Sequence, residues 1–88
     1  MEELFWVCMK KIYSRPTERE AVLLTDLEGD SIEISSQDMT SAKAQPDGMN
    51  KLYLRLALPH FCKNNEDLEI ISMTTSKVLW NSTTNSAS

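Results

Sequence analysis

The sequence predicts a mainly β fold: about five or six short strands in a small antiparallel sheet or open barrel, with room for one short helix within 36–45. Three observations predict it. Short apolar segments alternate with turn residues in the manner of a meander. Leu27-Glu28-Gly29-Asp30 carries a hairpin signal. Lys51 to Leu58 alternates strictly, with leucine at every second position and Lys51, Tyr53, Arg55 and Ala57 between. The alternative is an α+β fold in which residues 3–14 form a helix packed on the sheet.

The first segment, Leu4 to Tyr13, supports either reading. Glu2 and Glu3 at its start, Lys10 and Lys11 near its end and Pro16 beyond suit a helix and its dipole. Phe5, Trp6, Val7, Ile12 and Tyr13 favour a strand. The meander that follows tips the expectation to strand. Ser14 to Arg19 is polar, contains Pro16 and reads as a turn or loop. Glu20 to Asp26, with Val22, Leu23 and Leu24, reads as a second strand. Gly29 supplies the positive φ of a tight turn. Ser31 to Ser35 follows as a third strand, with Ile32 and Ile34 on one face and Glu33 on the other.

Residues 36–50 form a long connection. Ser36 is placed to cap one or two helical turns containing Met39 and Ala42. Pro46-Asp47-Gly48 reads as a turn with the glycine in the left-handed position. Lys51 to Leu58 then reads as a half-buried strand. Leu52, Leu54, Leu56 and Leu58 face inward; Lys51, Tyr53 and Arg55 keep their polar ends in water. Pro59 ends it, and His60 to Asp67 is a loop or a single helical turn. Leu68 to Trp80 reads as one bent strand or two short ones around Thr74-Thr75-Ser76. The expected domain is 1–81, followed by a flexible polar tail at 82–88.

Composition narrows the function classes. The 88 residues provide one small domain. Net charge is −4, with thirteen acidic residues against nine basic, which counts against a dedicated duplex-DNA binder. The apolar run Leu4 to Met9 lacks the preceding positive charge and following cleavage site of a signal peptide, and no run has the length to span a bilayer. The expectation is a cytoplasmic protein with reduced thiols at Cys8 and Cys62 and no membrane contact.

Gly29 and Gly48 are the only glycines, so phosphate-cradling loops are absent. His60 and Cys62, beside Glu66 and Asp67, invite a metal or activated-thiolate reading, but a structural zinc site needs four ligands and Cys8 lies far along the chain. A core cysteine beside a surface histidine is the better reading. Asn81-Ser82-Thr83 matches a glycosylation acceptor, which carries little meaning without an export signal. No catalytic residue, cofactor or metal is predicted.

What remains is one repeated pattern. Lys11-Ile12-Tyr13-Ser14-Arg15 and Lys51-Leu52-Tyr53-Leu54-Arg55 both read Lys-x-Tyr-x-Arg and together hold both tyrosines and four of the nine basic residues. On neighbouring strands the two rows would form one cationic-aromatic patch on an acidic protein. The expected function is therefore a non-catalytic interaction protein, a regulator, inhibitor or adaptor, that binds another protein through Lys11, Tyr13, Arg15, Lys51, Tyr53 and Arg55. The alternative is a small barrel that binds nucleic acid through the same residues.

Overall fold

A computed structural model of the chain describes residues 9–63, 66–83 and 86–87. Five strands form a mixed, open sheet in the order β3-β2-β1-β4-β5: β1 Met9–Pro16, β2 Val22–Thr25, β3 Ser31–Ile34, β4 Asp67–Ser72 and β5 Val78–Asn81. A two-residue strand, β6 Ser86–Ala87, pairs with β5. The pairs β1–β2, β2–β3 and β4–β5 are antiparallel, whereas β1–β4 is parallel. A parallel pair requires a long crossover. The chain between β3 and β4 supplies it in helical form: α1 Ser36–Lys43, then α2 Gly48–Leu52, a π-helical turn Tyr53–Ala57 and α3 Leu58–Phe61 as one continuous helical stretch. The fold is α+β, not mainly β.

Two expectations about helices are corrected. The described part of the N-terminal segment, from Met9 onward, is strand, so the helix of the alternative reading is absent there; residues 1–8 lie outside the described residues. The expected strand Lys51 to Leu58 is helical. Its leucines alternate, but Leu52 and Leu56 are also four apart, as are Tyr53 and Ala57. Helical coiling therefore gathers these four residues into one apolar stripe. Residues 48–61 contain no Val, Ile or Thr, and Leu, Ala, Lys, Arg and Met are good helix formers. The π turn sits directly before Pro59, which has no N–H to offer the Arg55 carbonyl; the Leu58 N–H reaches back to the Tyr53 carbonyl instead.

The helices cover one face of the sheet. Ile12, Leu24, Ile34, Leu68, Ile70 and Trp80 from the strands meet Leu52, Tyr53, Ala57 and Phe61 from the helical stretch in one buried cluster. Met39 and Ala42 of α1 pack against it, as the sequence predicts, although the cap is Ser35 and not Ser36: its Oγ accepts the Asp38 N–H at 3.1 Å. Trp80, fully buried, donates its indole N–H to Asn50 Oδ1, and Asn50 Nδ2 donates to Asp47 Oδ2 at 3.2 Å. This chain of polar contacts ties the start of α2 to β5 and satisfies a donor that would be costly to bury unpaired.

The β2–β3 hairpin forms as predicted. Asp26 organises its turn: Oδ1 accepts the N–H groups of Glu28 and Asp30, each at 2.9 Å, and Gly29 takes φ +91°. Leu68 to Trp80 resolves into β4 and β5. The second expected turn differs. Asp47, not Gly48, adopts the left-handed conformation, at φ +58°. Gly48 is helical and serves a different need: a Cβ there would stand 1.8 Å from the Ala42 carbonyl oxygen, so its lack of a side chain lets α2 approach α1. The expected flexible tail begins with an anchored residue, since Ser82 Oγ accepts the Leu68 N–H at 2.8 Å and the Ser82 N–H donates to the Leu68 carbonyl at 2.9 Å.

Candidate functional site

The two Lys-x-Tyr-x-Arg strings occupy different elements and opposite sides of the molecule. On β1 the pleat sends Ile12 and Ser14 into the core beneath the helices, so Lys11, Tyr13 and Arg15 point to the face that carries no helix among the described residues. Lys11 and Arg15 are exposed and Tyr13 is half-buried. Lys51 and Arg55 stand exposed on the outer side of the helical layer. Tyr53 belongs to neither surface: it is 5% exposed and leans on Trp80 with ring centroids 5.5 Å apart. Burial raises its phenol above the ordinary 10.0. The single composite patch expected from the sequence is therefore not formed. Helical geometry separates Tyr53 from its flanking cations because residues two apart do not share a helix face.

The helix-free face of the sheet has its own pattern. Cross-strand register places Thr25, Tyr13, Ile71 and Val78 in one row, with Arg15 opposite Leu23 and Lys11 beside Glu69. Leu23 and Ile71 are half-buried, while Val78 is 41% and Met73 57% exposed. The Met73 N–H donates to the Ser14 carbonyl at 2.8 Å, continuing the β1–β4 pairing past Ser72 and bringing Met73 alongside the end of β1. The result is an apolar strip around a tyrosine, flanked by Lys11 and Arg15. Sequence reading identified its cations and tyrosine. It missed Leu23, Ile71, Val78 and Met73, because only strand pairing brings four separate segments together.

The helical side carries a cleft of about 280 Å³ between α1 and the α2–π stretch. Ala42 and Leu52 line it, with Asp38, Ser41 and Gln45 toward α1 and Lys51 and Arg55 toward the second helix. Neither Lys51 nor Arg55 forms an ion pair among the described residues.

A charge pair with a buried carboxylate lies elsewhere. Lys10 Nζ stands 3.4 Å from Asp26 Oδ2 and donates to the Phe61 carbonyl at 3.1 Å, pinning the start of β1 to the hairpin turn and the end of α3. Oδ2 accepts no hydrogen bond of good geometry, so Lys10 serves it as a counter-charge. Burial pushes the Asp26 carboxyl up, but the N–H groups of Asp30 and Glu28 and the Lys10 ammonium outweigh it and hold the group below its ordinary 3.8. Burial likewise pulls Lys10 down, and Asp26, with Glu28 and Glu66, outweighs this and holds it above 10.5. These groups are a structural staple.

His60 and Cys62 do not converge. His60 Nε2 meets Asp30 Oδ1 at 3.1 Å and its ring sits edge-on to Phe61, whereas Cys62 packs against the core cluster. Among the described residues no group of three or more His, Cys, Asp or Glu stands where it would hold a metal ion. Among them, too, no helix is long and apolar enough to cross a membrane. No protein-family model, curated protein or solved structure matches the chain.

Proposed function

We propose that the protein is a non-catalytic interaction module that binds another protein and alters its activity, working in the cytoplasm. The observation that supports this reading most is the helix-free face of the sheet. A sheet normally buries its apolar residues under another layer. Here Tyr13, Leu23, Ile71, Val78 and Met73 form a strip that no helix covers among the described residues, with Arg15 beside it. Tyrosine and arginine are the side chains that most often carry binding energy at protein interfaces. Of the six residues expected to bind a partner, Lys11, Tyr13 and Arg15 keep that role on this face. Tyr53 acts as core, and Lys51 and Arg55 belong to a separate surface.

The test is affinity capture from the source cells, read by mass spectrometry, with the parent protein and a Tyr13→Ala, Arg15→Ala double variant side by side. A protein retained by the parent and lost by the folded double variant supports the reading. Equal retention by both removes the sheet face from it. Nucleic-acid binding is the second reading, favoured by Lys11 and Arg15 flanking a tyrosine on a flat surface where a base would stack. Binding of single-stranded oligonucleotide that falls steeply with salt would favour it.

A further inference from the structure

The cleft between α1 and the second helical stretch is too specific to be a packing remnant. Its width is set by backbone contact, because Gly48 lies directly against the Ala42 carbonyl and the two helices close to a distance that no side chain at position 48 would allow. Its lining is apolar at Ala42 and Leu52, and Leu52 is only 3% exposed. On the second helix the cleft is flanked by Lys51 and Arg55, four residues apart.

Neither cation makes a side-chain hydrogen bond or an ion pair among the described residues. Like charges at this spacing destabilise a helix. The molecule as a whole is acidic, with a net charge of −4. The cleft therefore carries two cations against the single carboxylate of Asp38, beside an apolar floor. Asp38 lies on the opposite wall with Ser41 and Gln45, and Asp47 lies in the adjoining hollow that shares Ala42, Gln45 and Gly48. An extended polyanion following this surface would run into those carboxylates. A short acidic segment of a protein would not.

We propose that this cleft docks an acidic segment of a partner protein, presenting two carboxylates about one helical turn apart to Lys51 and Arg55 and an aliphatic side chain to Ala42 and Leu52. The site is independent of the sheet face, which lies on the other side of the molecule. Charge complementarity selects the segment and the apolar floor retains it. Ser41 and Gln45 provide hydrogen-bonding groups opposite the cations.

The test is selection of a random peptide library displayed on phage against the full chain, followed by amide NMR titration of the chain with the enriched peptides. Enriched peptides should carry paired Asp or Glu three or four residues apart around an aliphatic residue. They should shift the amides of Ala42, Gly48, Lys51, Leu52 and Arg55. The Lys51→Glu, Arg55→Glu variant should bind them at least about tenfold more weakly. The milder Lys51→Gln, Arg55→Gln variant gives the same reading should the reversed charges perturb folding. The Tyr13→Ala, Arg15→Ala variant should bind them like the parent, which separates failure of this site from failure of the sheet face. Enrichment without acidic bias, shifts confined to 11–15 and 71–78, or unchanged affinity in the folded neutral variant would each overturn the proposal. So would oligonucleotide of equal charge shifting the cleft amides as strongly as the peptides do.

Discussion

Single residues set the tolerances of this fold, and Gly48 shows how. Helix propensity alone favours alanine over glycine by about 1 kcal/mol. Against that, the new Cβ would lie 1.8 Å from the Ala42 backbone oxygen, far inside contact distance, and a backbone atom cannot rotate away. The clash wins, and α1 and α2 must separate. Gly48→Ala should therefore destabilise the protein by about 1–3 kcal/mol in chemical denaturation, the usual cost of overpacking. Asp26 and Lys10 predict a pH dependence. Because the folded carboxyl of Asp26 lies below 3.8, its contribution is fully present above that value and is lost as pH falls through the folded pKa. Because folded Lys10 lies above 10.5, its contribution is present below that value and is lost as pH rises through its folded pKa. Thermal unfolding of the parent and of Asp26→Asn should then differ most between these limits and converge toward acid. A difference that persists undiminished into strong acid would show that the staple does not act through charge.

At the level of elements, the helical stretch 48–61 separates the structure from the sequence reading most sharply. A strand at 51–58 would bury Leu52, Leu54 and Leu56 alike. The helix buries Leu52, Tyr53 and Ala57 and leaves Leu54 and Leu56 only half-covered. Leu52→Ala should accordingly cost about 2–5 kcal/mol, the range for a leucine removed from a packed core. Leu54→Ala should cost clearly less. Equal costs, or a circular dichroism spectrum without helical minima, would return the segment to the sheet. The helix was detectable in principle from its lack of β-branched residues, a signal weaker than the period-two leucines that masked it.

For the whole molecule, the decisive feature is that, among the described residues, the helices cover one face of the sheet and not the other. That leaves a tyrosine-centred strip on one side and a cationic cleft on the other, so the two proposed binding surfaces can be tested separately. Tyr13→Ala with Arg15→Ala should leave the fold intact, since Arg15 is exposed and Tyr13 lies outside the core cluster. It should weaken binding of a sheet-face partner by at least about 2 kcal/mol, the threshold for an interface hot spot. Isothermal titration calorimetry with the captured partner measures it. Salt should change that affinity only modestly, because the strip is largely apolar and exposed charges are screened piecemeal. A steep fall with salt would point to phosphate contacts instead.

What depends on neighbours along the chain could be read from the residues alone. The hairpin from Val22 to Ile34 was legible from Gly29 and from alternating isoleucines. The helical turns of α1 were legible from Met39 and Ala42 after a serine, although the cap was read one residue late, at Ser36 instead of Ser35. The placement of Lys11, Tyr13 and Arg15 on one side of a strand followed from its pleat. Tertiary structure decided what depends on distant partners. The leucines from Leu52 to Leu58 satisfy both a strand period and a helix stripe, and burial against Ile12, Ile70 and Trp80 selects the helix. The same choice moves Tyr53 into the core and turns Lys51 and Arg55 away from β1. The parallel pairing of β1 with β4 joins segments more than fifty residues apart, beyond the reach of any local pattern. Gly48 looked like a turn residue because chain order places it after Pro46 and Asp47; the close packing that requires it there arises only when α1 folds back against α2.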